Sequence, residues 1–134
     1  LLEKNKPGDS LKLAVKRMKK KLCCLSIVFF LMNCEAIFIE DISEETVVHQ
    51  APSEQSEITK GSIQFNWQEV AESTDYTIQI ATPNFENATQ IILDSIITNT
   101  VFIKDLDSAS YQWRVRGNNS GYATEFSTHN FIIN

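Results

Sequence analysis

Tyr111-Gln112-Trp113-Arg114-Val115-Arg116-Gly117-Asn118 carries an apolar side chain at every second position from Tyr111 to Val115, with Gln and Arg between them. A period of two belongs to a strand, whose side chains point alternately to opposite faces. One face of this strand is therefore buried and the other wet. Outward from it the alternation recurs. Ile63, Phe65 and Trp67 alternate with Ser62, Gln64 and Asn66, and Tyr76, Ile78 and Ile80 alternate with Thr77 and Gln79. Phe131 and Ile133 alternate with Asn130 and Ile132. Between these runs lie Glu72-Ser73-Thr74-Asp75, Pro83-Asn84, Asp105-Leu106-Asp107-Ser108 and Asn118-Asn119-Ser120-Gly121. Such residues favour turns through local side-chain hydrogen bonds and tolerant backbone angles.

Ile91-Ile92-Leu93-Asp94 and Thr100-Val101-Phe102-Ile103 supply middle strands. Thr46-Val47-Val48 reads as a first edge strand that ends at Pro52, which edges tolerate. The sum is about seven short strands with turns between them, the pattern of an all-β, immunoglobulin-like sandwich. Trp67, Trp113, Tyr76, Tyr111 and Phe65 sit on the apolar phase and form its expected core. Each can bury roughly 150–250 Å². At about 25 cal/mol per Å² that is several kcal/mol per side chain before conformational entropy is subtracted.

These residues resemble a known family. Ile63-Gln64-Phe65-Asn66-Trp67 resembles the second strand of fibronectin type III domains, and Tyr76 to Ala81 is similar to the third. Leu106…Tyr111-Gln112-Trp113-Arg114-Val115-Arg116 with the trailing Gly117-Asn118 resembles the tyrosine corner and sixth strand; Thr124–Ile133 resembles the closing strand. The resemblance spans residues 58–134. It implies a seven-stranded sandwich without catalytic machinery.

Charge is divided along the chain. Residues 1–33 hold eight of the twelve Lys and Arg but only Glu3 and Asp9 as acids. From residue 34 onward four bases face fifteen acids, a formal net charge of −11. So negative a body repels phosphate backbones, which argues against nucleic-acid binding. The cysteines are Cys23, Cys24 and Cys34, so no pair is left to cross-link the sandwich.

Met18-Lys19-Lys20-Lys21 followed by the apolar run Leu22–Leu31 has the layout of a secretory signal, a positive n-region before an h-region. Ten apolar residues are too few to span a bilayer, which takes roughly 20. Leu31-Met32-Asn33-Cys34 resembles the lipobox of bacterial lipoproteins, with Cys34 as the lipid acceptor. The resemblance implies a diacylglyceryl and N-acyl anchor at the cell envelope, on an outer membrane lipoprotein of the Bacteroidetes type. Acids soon after Cys34 resemble the surface-export signals of such proteins. The expected organisation is an upstream extension and signal helix over 1–33, an acidic tether over 34–57, and the sandwich over 58–134.

Sites of chemistry are few. His49 and His129 are far apart in sequence, outside any metal-ligand spacing, and read as solvated surface residues. Asp105 and Asp107 form a D-x-D that reads as a turn rather than a calcium loop. No phosphate loop or nucleophile motif appears, and no cofactor is expected. Arg114 and Arg116 fall on the wet face of their strand, where Glu69 or Asp94 are the expected counter-ions and an anionic partner is the alternative. Phe85, Tyr122 and Phe126 are aromatics in or near loops and candidates for contact, with core as the first reading of Phe126. Asp94-Ser95-Ile96 and Asp107-Ser108-Ala109 resemble the O-glycosylation sequon of Bacteroidetes envelope proteins, with Ser95 and Ser108 as acceptors. The functional expectation is an anchored, non-catalytic interaction or spacer module with an envelope protein or a glycan as partner. The alternative is a glycan-binding accessory of polysaccharide uptake, marked by an exposed coplanar aromatic pair.

Overall fold

The computed structural model describes Gly8, residues 11–19 and residues 37–134. The chain divides into two compact units, Leu1–Phe38 and Ile39–Asn134. In the first, residues 11–19 are helical and exposed. The apolar run Leu22–Leu31, and Cys34 with it, lies outside the described residues. No described helix is long and apolar enough to cross a membrane.

The second unit is a two-sheet sandwich of eight strands: β1 (His49–Ala51), β2 (Ser56–Ile58), β3 (Gly61–Trp67), β4 (Asp75–Thr82), β5 (Gln90–Ile97), β6 (Val101–Leu106), β7 (Ala109–Asn118) and β8 (Ser127–Ile133). One sheet has the order β1-β3-β6 and the other β2-β8-β7-β4-β5. The eighth strand corrects the expected count of seven. The first edge strand also begins three residues later than Thr46-Val47-Val48 suggested, and it is divided. β1 pairs antiparallel with β3, whereas β2 pairs parallel with β8 in the opposite sheet. Pro52 stands between them and has no N–H to continue a ladder, so the chain leaves one sheet there and joins the other.

Alternation decides which faces meet. In β3 Ile63, Phe65 and Trp67 are buried, in β4 Tyr76, Ile78 and Ile80, and in β7 Tyr111, Trp113 and Val115. Phe131 and Ile133 of β8 complete the core from the same sheet as β7. The aromatic rings touch largely edge to face, a geometry their quadrupoles favour. Phe65 lies 5.1 Å from Trp113 and 5.8 Å from Phe131 between ring centroids, and Trp67 lies 5.5 Å from Tyr76. Tyr111 stacks on Phe131 at 5.4 Å, and its hydroxyl donates to the Asp107 carbonyl at 2.8 Å, closing the corner between β6 and β7. Gly117 ends the regular part of β7 where a Cβ would collide with Ser73 Oγ.

The compact unit starts at Ile39, ahead of the boundary at 58 expected for the sandwich. Ile42 and Val47 are each only 1% exposed, and Val47 belongs to the main core. The Val48 carbonyl accepts from Gln68 N at 2.9 Å, and the Glu40 carbonyl accepts from Asn119 Nδ2 at 2.9 Å. Acids at 40, 41, 44 and 45 made this stretch look like a solvated stalk. Ile42 and Val47 instead dock it. Replacing Ile42 by Ala should lower unfolding free energy by about 2–4 kcal/mol in urea denaturation, the cost of emptying a buried Ile site. A loss under about 0.5 kcal/mol, the level of a surface change, would return residues 39–48 to a loose tether.

Candidate functional site

The outer face of the five-stranded sheet gathers four of the residues singled out in the sequence. Arg114 and Arg116, two apart on β7, project from that face. Phe85 lies in the loop after β4, and Phe126 immediately precedes β8. The Arg114 guanidinium carbon is 4.0 Å from the Phe85 ring centroid and 4.4 Å from that of Phe126; the Arg116 carbon is 4.7 Å from Phe126. Phe126 thus serves both arginines. A cation over an aromatic face is drawn to the ring's negative quadrupole, by about 0.5–1 kcal/mol where solvent reaches it. Arg114 Nε also donates to Gln79 Oε1 at 2.7 Å, and Gln112 Oε1 accepts from Phe85 N at 2.9 Å, fixing the loop that carries the ring.

No carboxylate lies within ion-pair distance of either arginine among the described residues, where Lys60–Asp107 at 2.7 Å is the one salt bridge. This corrects the expected pairing with Glu69 or Asp94. The register explains it for Asp94. Across the sheet Asp94 faces Gln79, and Gln79 faces Arg114, so an amide stands between the charges. Arg116 Nε is buried and has no hydrogen-bond partner.

The other expected positions are scattered. Tyr122 is 41% exposed in the loop after β7, where its backbone N–H is held by Asn119 Oδ1 at 2.8 Å, away from any aromatic partner among the described residues. Ser108 is exposed at the turn between β6 and β7. Ser95 is half-buried in β5 and faces Ile78, whose side chain is wholly buried. Asp105 accepts from Ser62 Oγ at 2.5 Å, and Asp107 is paired with Lys60.

His49 and His129, read as solvated surface residues, are instead brought together half-buried. Their ring centroids are 4.0 Å apart, and His49 lies 4.0 Å from Trp113. Nε2 of His49 donates to the Ser127 carbonyl at 3.0 Å, while its Nδ1 is buried without a partner. The Pro52 carbonyl accepts from Trp113 Nε1 at 3.3 Å and lies 3.4 Å from His129 Nδ1. The cluster therefore fastens β1 and the crossing at Pro52 onto β7 and β8. A local signal existed: His129 shares the phase of Phe131 and Ile133, which points it inward. His49 offered none, because β1 is only three residues long. Among the described residues no group of three or more His, Cys, Asp or Glu could hold a metal ion.

Two depressions on the sandwich were candidates for chemistry. One of 290 Å³ is lined by Gln55, Pro83, Asn84, Ser110, Tyr111 and Asn130 among others and gathers no acid or base apart from the Tyr111 phenol, which is engaged in the corner. One of 160 Å³ is formed around the Lys60–Asp107 pair. Neither sets a nucleophile beside a base.

Burial pushes the His49 imidazole down to about 4, helped by the neighbouring His129 and opposed by the Ser127 carbonyl and by Glu54. The folded state thus resists a proton that the unfolded chain accepts below about pH 6.5. Stability is intact above that pH and falls as the pH drops toward 4. The ring is partly open to solvent, so the loss should be about 1–2 kcal/mol rather than the full linkage value. Urea denaturation at pH 7 and pH 4.5 should show a smaller pH difference for His49→Phe than for the parent, by that amount. Equal differences would show that the imidazole stays solvated.

No protein-family model matches the chain, and no curated protein matches it. Solved structures do. The fn3 domain of human collagen alpha-1(XX) chain superimposes with a TM-score of 0.50 at 13% identity, covering 68% of this chain and 88% of that one. The FN3tt crystal structure gives a TM-score of 0.47 at 14% identity, covering 66% of this chain and 97% of that one. At such identity the collagen-domain likeness speaks to architecture alone, and the sandwich has the fold of a fibronectin type III domain.

Proposed function

We propose that this chain is a membrane-anchored envelope lipoprotein, held by lipid on Cys34, whose sandwich is a non-catalytic contact module with the Arg114–Phe126 face as its contact surface. The supporting observation is the pinning of two cations on aromatic faces, with no carboxylate neutralising them, on a body that is otherwise strongly acidic. Arginine and aromatic residues are the side chains most enriched where proteins bind one another. Glycan capture fits less well. Sugar stacking needs open aromatic faces, and a guanidinium group already covers a face of Phe85 and of Phe126. Ser108, exposed at its turn, is the better placed of the two proposed O-glycosylation acceptors.

Metabolic labelling with an alkyne fatty acid should mark the parent chain and not Cys34→Ala; label retained in the variant would reject the anchor. The contact surface is tested separately, with a photo-crosslinking side chain at Thr128, which faces Arg114 across β7 and β8, or at Gln64, exposed on β3. Crosslinks are expected from position 128 and not from position 64. Crosslinks from neither would leave only the spacer role.

A further inference from the structure

Four bases follow Cys34, and two of them stand on the outer face of β7 without an anion among the described residues. Residues two apart on one strand share a face at a spacing of roughly 7 Å. Both guanidinium groups therefore border the single ring of Phe126, and Arg114 also meets the ring of Phe85. Gln79 takes the Nε of Arg114. The matching Nε of Arg116 is buried and has no acceptor among the described residues. Neither guanidinium is neutralised by a carboxylate among those residues, so the outer nitrogens are left for an acceptor from elsewhere. The aromatic contacts restrict the arginine rotamers before any ligand arrives, which lowers the ordering cost of binding.

The chemistry of the missing acceptor follows from the donors. A planar guanidinium presents parallel N–H groups that match a carboxylate two-on-two. A polyanion is a poor candidate, because the net charge of −11 beyond residue 33 repels it at long range. A sugar acid is disfavoured because guanidinium groups already cover a face of Phe85 and of Phe126. A single carboxylate on a polypeptide loop meets both limits. We propose that Arg114 and Arg116 form a receptor for an Asp or Glu side chain of a partner protein, with the outer nitrogens of both guanidinium groups as donors. This rests on the contact-surface reading above and adds the ligand class.

The test follows the arginine Nε–Hε resonances of the full chain by NMR during titration with acetyl-Gly-Asp-Gly-amide, at constant ionic strength. The Asn counterpart and methyl glucuronide serve as comparison ligands. The Asp peptide should shift the Arg116 resonance saturably, at a concentration at least fivefold below any effect of the Asn peptide. Arg116→Lys keeps the charge but loses the fork, and should weaken binding about tenfold. Equal shifts from the Asp and Asn peptides, no shift at all, or undiminished binding by Arg116→Lys would overturn the proposal. So would tighter binding of the glucuronide, which would assign the site to glycan. Crosslinks from position 128 that persist while the Asp peptide fails to bind would reject the carboxylate and leave the contact surface standing. Loss of both would reject the two together.

Discussion

Trp113 is the contact on which both sheets close. Its indole is wholly buried, and within 6.4 Å between centroids it meets Phe65 and Trp67 from the opposite sheet and His49 and His129 from the two ends of the domain. Its one polar atom reaches the carbonyl of Pro52, the point at which the first strand changes sheets. Burial of so large an apolar surface contributes heavily to the stability of a sandwich that has no cysteine of its own to cross-link it. The same side chain therefore fixes the spacing of the sheets, the crossing of the first strand and the enclosure of the histidine pair.

The long strands were legible in the sequence because each has one dry face and one wet face. β3, β4, β7 and β8 announce themselves in every second residue, and the core named from that pattern is the core found. The short strands were not. His49–Ala51 and Ser56–Ile58 have three residues each and no apolar alternation, and their pairing is dictated by tertiary contact and by the missing N–H of Pro52. Ile42 was masked by the acids around it. A single apolar residue carries no period, yet its side chain is buried.

The candidate site was legible in its members and misread in its interactions. Phe85 and Phe126 were named from loop position, Phe126 with core as its first reading, and Arg114 and Arg116 from the wet face of their strand, where opposite charge was expected to hold them. Strand register overrules that expectation by setting Gln79 between Arg114 and Asp94. Cation–π contact then takes the place of ion pairing. The consequence is functional: a salt-bridged arginine has already found its anion, whereas an arginine held by a ring keeps its outer donors available. On a surface of the same sign as most partners' acidic loops, such a spot favours short-range recognition over long-range steering. Two histidines near opposite ends of the sandwich unit, meanwhile, turned out to be structural, because β1 at the edge of one sheet meets the start of β8 in the other.

Native-state hydrogen exchange on the full chain tests most directly whether one core centred on Trp113 holds all of this together. Amides of β3, β4 and β7, with Gln68 N–H bonded to the Val48 carbonyl, should exchange at a common, highest free energy that falls in concert in Trp113→Phe. Exchange of the Gln68 amide at unprotected rates while β7 stays protected would contradict it, since the first strand would then be a separate, loosely attached piece.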